Sequence, residues 1–154
     1  GTRFSCLAFR ARAAEPLGRS DLVAKAVPEL LAIAEATGPA AGFDEQTLYS
    51  MKVQALTLAG RRVEAVAVAR RGIDAASAPG QLSLRRWREI ELARALAWFG
   101  EAPECVEVLG RLLRVPCEVA VPGLRADPSW DRVREDPAFQ ALLADPKNGA
   151  PPKP

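Results

Sequence analysis

A chain of 154 residues is the size of one domain and can bury about 70% of its extended surface without disulfides or metal. Hydrophobic residues make up 49% of it but aromatics only 6%, and Ala, Leu, Val and Arg dominate, which suits close-packed helices rather than a β-sandwich. Lys plus Arg number 21 against 19 Asp plus Glu, so a net charge of +2 supplies no global field to draw in nucleic acid or an anionic membrane.

Taken in chain order, the apolar spacing predicts a helix over Arg3 to Ala14 and a loop at Pro16 to Arg19. A second helix, opened by Ser20, ends before Gly38-Pro39. Pro28 lies inside that second run, so the helix either kinks there or divides in two. Asp44 is a good N-cap for the next run, whose members Leu48, Met51, Val53, Ala55, Leu56 and Leu58 keep helical spacing as far as Gly60. Arg62 to Ala76 follows and is broken at residues 77–80, so the two runs make an antiparallel pair. Ser83 is placed to cap a run through Trp87, Ile90, Leu92, Ala93, Leu96, Ala97 and Phe99 to Gly100. Pro103 then sits in the first turn of another helix, where its missing amide costs little, and Val106, Val108, Leu109, Leu112 and Leu113 carry that helix to Pro116.

Gly60 is followed five residues later by Ala65, and Gly100 by Cys105, each time with a helix stop and then a small residue in the next helix. The glycines at 18, 60 and 100 are spaced by 42 and 40 residues, a period found in helical solenoids. A unit of this kind cannot bury its apolar stripe alone, so it stacks on its neighbours. The expectation is an all-α chain, an α-solenoid of about three antiparallel helix pairs. Asp127-Pro128, Asp136-Pro137 and Asp145-Pro146 each have the form of a helix start, an Asp cap with Pro at the first helical position. The first two open short helices whose Trp130, Val133, Phe139, Leu142 and Leu143 cover the open end of the stack, a capping pair within about 117–144. Residues 145–154 lack apolar content and are expected to be a disordered tail behind a domain over 1–144.

Enzyme chemistry is hard to build here. The chain has no His, no Gly-rich phosphate loop, no Gly-x-Ser-x-Gly elbow and no metal-ligand spacing, so no catalytic residue, cofactor or metal is expected. Cys6, Cys105 and Cys117 are odd in number and unpaired by spacing, and are read as buried free thiols in a reducing, cytoplasmic compartment. No apolar run is long enough to cross a membrane. The opening Gly1 in place of Met is expected of a piece of a longer protein.

Tyr49, Val53, Leu56, Gly60, Ala65, Ala69 and Gly72 fall where the tetratricopeptide family has its aromatic, aliphatic, Gly and small residues. A second copy runs through Ala93, Leu96, Gly100, Cys105, Leu109 and Leu112, with Glu89 in place of the first aromatic. The chain resembles that family, although its repeats are longer than the usual length of about 34 residues. The stretch from Leu124 to Leu143 resembles the C-terminal end of tetratricopeptide regions in large bacterial regulatory proteins, where the repeats follow a kinase, a cyclase or a winged-helix domain. The resemblance implies an accessory or sensory module that binds a protein, a peptide or its own effector domain.

In that family's geometry the first helix of each pair lines a concave face, which places Ser50, Gln54 and Thr57 near Trp87, Glu91, Arg94 and Trp98. An Arg between two Trp rings can stack on them and hold a partner carboxylate in its fork, whereas the alternative makes both Trp core residues and Arg94 a solvated charge. Arg85, Arg86 and Arg88 around Trp87, with Arg61, Arg62, Arg70 and Arg71, raise a nucleic-acid alternative, weakened by the neighbouring Glu64, Asp74, Glu89 and Glu91.

Overall fold

The computed structural model describes residues 2–15, 17–37 and 44–149, which are helical with no strand. The chain groups into two compact units, Gly1–Val68 and Ala69–Pro154, within the span that the sequence reading treats as one domain.

The first unit holds α1 (Thr2–Ala14), α2 (Ser20–Ala36), α3 (Glu45–Leu58) and the start of α4 (Arg62–Ala75), in which the unit boundary falls. Helix α1 packs on α2, and both pack on α3. Alanines at 8, 11, 14, 26 and 34 are all buried, so these helices meet through small side chains around Phe4 and Leu30. Helix α2 is continuous through Pro28, which points to water together with Ala24, so the carbonyl left without its amide partner is in reach of solvent. The Asp44 cap forms as expected: its carboxylate accepts the Thr47 amide and the Thr47 hydroxyl, both at 2.8 Å. Those bonds, led by the one from the amide, hold the carboxyl below its ordinary range. The expected helix stop at Gly38-Pro39 lies outside the described residues.

The repeated turn is visible atom by atom. At Gly60 the backbone has φ +73°, the Arg61 amide donates to the Leu56 carbonyl at 2.9 Å and the Gly60 amide to Thr57 at 3.1 Å. At Gly100 φ is again +73°, with Glu101 donating to Leu96 at 3.0 Å and Gly100 to Ala97 at 3.0 Å. This paired closure satisfies the last carbonyls of each helix and requires a left-handed residue, which costs roughly 1 to 2 kcal/mol for any residue with a Cβ. Five residues on, Ala65 and Cys105 are both fully buried. The spacing of a glycine and a small residue therefore encodes one turn with one packing consequence.

The second unit contains the rest of α4, α5 (Leu82–Trp98), α6 (Ala102–Leu112), α7 (Val121–Ala126), a 3-10 turn at Pro128–Trp130, α8 (Asp131–Arg134), α9 (Pro137–Ala144) and α10 (Pro146–Gly149). Helix α5 starts one residue before Ser83, with Gln81 at its N-cap and no side-chain cap bond, so Ser83 does not play the capping role expected of it. Helix α6 ends at Leu112, short of Pro116, and α7 is an additional helix with Pro122 in its first turn.

The C-terminal helices pack on the two helices before them. Helix α6 packs against α9, and α5 against the 3-10 turn and α8. Trp130, Val133, Phe139 and Leu143 are buried, and the Trp130 and Phe139 rings stack with centroids 6.5 Å apart. A Cβ on Gly110 of α6 would sit 3.6 Å from Leu142, which shows how closely α9 lies on α6. Burying each such aromatic contributes about 1.5 to 3 kcal/mol. Asp127, Asp136 and Asp145 accept the amides of Ser129 (2.9 Å), Ala138 (2.8 Å) and Lys147 (2.9 Å), so all three Asp-Pro steps start a helical turn. The third one orders residues 145–149, where a tail was expected, and Asn148 donates to the Leu142 carbonyl at 2.9 Å. Residues 150–154 lie outside the described residues.

The cysteines are free but only partly buried. Cys105 is enclosed, donates to the Ala93 carbonyl at 3.4 Å, and has its thiol pushed up to about 12 by burial. Cys117 is half-buried, and Cys6 is exposed, contrary to the expectation of three buried thiols. No helix among the described residues is long and apolar enough to cross a membrane.

Candidate binding groove along α5

Residues 83, 87, 90 and 94 recur on α5 at the spacing of one helix face. That face forms one wall of a groove whose other wall is the segment 116–127, including α7. Two adjoining cavities lie in it, of about 150 and 190 Å³, and both are lined by Trp87, Ile90 and Glu118. Arg94, Asp127 and Trp130 line the smaller one, and Ser83, Arg86 and Cys117 the larger. A cavity of roughly 150 Å³ holds a benzene-sized group. Trp87 is 42% exposed, so a large aromatic face stands open where the cavities meet.

The wall opposite α5 is pinned at both ends. At its start the Arg86 guanidinium donates to the Pro116 carbonyl at 2.6 Å, and the Cys117 thiol donates to Leu112 at 3.2 Å. At its end Arg134 donates to the carbonyls of Leu124 (3.2 Å), Arg125 and Asp127 (2.9 Å), while its own orientation is fixed by Asp131 at 2.7 Å. One guanidinium thus satisfies the last carbonyls of α7 that no following helical turn would reach. Val121 and Leu124 anchor the same segment in the core.

The groove's electrostatics follow from Asp127. Burial pushes its carboxyl up, but the Ser129 amide and hydroxyl and the charge of Arg94 together outweigh burial and leave it below the ordinary range. Arg94 reaches that carboxylate at 3.5 Å, and its buried Nε has no hydrogen-bond partner among the described residues. Glu118 is exposed at the junction of the two cavities.

No protein-family model, curated protein or solved structure matches this chain.

Of the seven residues expected at a binding face, Trp87 and Arg94 line this groove. Trp98 lies elsewhere: the Arg132 guanidinium covers its ring at 4.5 Å and also donates to its carbonyl at 2.6 Å. Arg94 is drawn to Asp127 instead of being held between two indoles. Glu91 is withdrawn into an ion pair with Arg88, the two side chains being 10% and 2% exposed. Ser50, Gln54 and Thr57 belong to α3 in the first unit. Ser50 and Gln54 are half-buried there, and Thr57 is buried with its hydroxyl donating to Val53 at 2.7 Å. Sequence reasoning missed Ile90 as a lining residue, together with Cys117, Glu118 and Asp127. The signal for the missing wall was Val121-Pro122 followed by Leu124, a short amphipathic turn with Pro at its start.

The basic cluster is largely neutralised. Arg61 pairs with Glu64 at 2.5 Å, Arg85 with Glu89 at 3.6 Å, Arg70 with Glu104 and Arg88 with Glu91.

Proposed function

We propose that this chain is a non-catalytic binding module, a tetratricopeptide-like solenoid that serves as the C-terminal accessory region of a longer, cytoplasmic bacterial regulatory protein. Its ligand is an extended peptide segment of a partner or of its own effector domain. The observation that carries the reading is the pair of adjoining cavities astride the exposed Trp87, between walls held by Arg86 and Arg134. In an extended peptide, alternate side chains point the same way roughly 7 Å apart. Two apolar side chains two residues apart therefore suit neighbouring cavities, with the peptide backbone crossing the indole. Fixed walls reduce the ordering cost of binding, which is what a recognition groove needs.

Selection from a random-peptide display library tests this, with affinities then measured for the parent protein, Trp87→Ala and Trp98→Ala. Loss of a central aromatic anchor costs about 2 kcal/mol or more, roughly thirtyfold in affinity. Trp87→Ala should show that loss and Trp98→Ala should not. Selected peptides that bind both variants equally, or binding to random oligonucleotides that weakens by orders of magnitude with added salt, would overturn the proposal.

A further inference from the structure

We propose that a second surface, the groove between α1 and α2, docks an acidic amphipathic helix of a partner protein. This surface lies wholly in the first unit and is independent of the α5 groove. The cavity there is about 490 Å³, and its floor is made by Ala11, Ala14 and Ala26, all buried and small. Small residues along a floor let another helix come close enough for its apolar stripe to touch backbone as well as side chains. On the lip, Phe9 and Leu17 are 74% and 75% exposed, two large hydrophobic side chains left open to solvent beside one trough. A pair of such side chains beside an apolar trough marks an interaction surface more than a solvated face.

The charge around the trough identifies the partner's chemistry. Two of the charges lining it are already answered, Arg19 by Asp21 at 3.0 Å and the carboxylate of Glu29 by Arg3 at 2.5 Å. Arg10 on α1 makes no ion pair among the described residues, and Lys25 on α2 feels Asp21 only at longer range. These two stand about equally far from the turn that joins the helices, one on each side of the trough, and leave the rim with an excess of two positive charges. An amphipathic helix lying in the trough would present its apolar stripe to the alanines and its flanks to Arg10 and Lys25, so acidic flanks are attracted and basic flanks repelled. A second copy of this chain would set the same basic rim against itself across a two-fold axis, which the excess charge disfavours.

A labelled synthetic helix with a Leu and Ala stripe and Glu flanks, and the same peptide with Lys in place of Glu, test the proposal by fluorescence anisotropy on the full chain. The Glu peptide should bind and the Lys peptide should not. Phe9→Ser, a change at an exposed position, should weaken the Glu peptide roughly tenfold or more. The double variant Arg10→Glu with Lys25→Glu should do likewise and acquire affinity for the Lys peptide, a gain that misfolding cannot mimic. Circular dichroism confirms that each variant remains helical. Equal binding of both peptides, no binding of the Glu peptide, or a salt-insensitive dimer of the chain that Phe9→Ser dissolves would overturn it.

Discussion

Phe139→Ala removes the side chain that joins the C-terminal helices to α6. Phe139 is fully buried, its ring stacks on Trp130 at 6.5 Å, and its helix lies directly on α6. Truncating such a residue typically costs about 3 to 5 kcal/mol, since the site loses both transfer energy and contacts around the cavity left behind. That rivals the whole stability of a small domain, about 5 to 15 kcal/mol. The assay is favoured by the composition, because the three tryptophans, Trp87, Trp98 and Trp130, all lie in the second unit. Urea unfolding followed by Trp fluorescence therefore reports that unit, while ellipticity at the helix band reports the whole chain. The fluorescence midpoint should fall sharply in Phe139→Ala, and by less in Phe139→Leu, which keeps most of the buried volume. An unchanged fluorescence midpoint for the Ala variant would refute the claim that 127–144 is structural cover for α6.

Gly100→Ala should destabilise by about 1 to 2 kcal/mol through the left-handed backbone alone, since a Cβ there meets nothing within 4 Å. Gly123→Ala, inside α7 and equally open, should instead stabilise by roughly 0.5 to 1 kcal/mol, and thermal melts of the two variants check the opposite signs. Thiol labelling of the native protein at mildly alkaline pH should modify Cys6 first and spare Cys105 until unfolding, whereas rapid labelling of all three would contradict the burial described. Asp21, Asp44, Glu64 and Asp127 are held below their unfolded values, so their contribution is present above the unfolded pKa of about 4 and is lost as pH falls through the folded values. With no His in the chain, melting temperature should be flat from about pH 5 to 7 and fall below about pH 4, and a marked slope inside the flat range would contradict this.

Local signals carried the fold furthest where one residue type has one structural use. The glycines at 60 and 100 and the Asp-Pro steps each constrain a single turn, and each turn formed. The third Asp-Pro step was legible by the same rule, but the polar composition behind it masked a turn fastened by Asn148. Ser83 failed as a cap because Ser signals only a preference, and α5 begins at Leu82 without any side-chain cap. The groove was half legible. Trp87 and Arg94 could be placed on one helix face by spacing, but the opposite wall depends on Arg134 reaching carbonyls seven to ten residues away and on Arg86 reaching Pro116. Such long-range hydrogen bonds leave no periodic trace. Glu91 and Trp98 stand apart from the groove because spacing cannot show which cation a side chain meets, and Arg88 and Arg132 reach them.

The most direct test of the account maps where a selected peptide binds. Backbone amide shifts of the isotope-labelled protein, followed through a titration with a library-selected peptide, should move together in 83–94 and 117–127, with the Trp87 indole signal among the largest. Perturbations confined to the arginines of α4, or spread over the surface without reaching Trp87, would contradict the assignment of the α5 groove as the binding site.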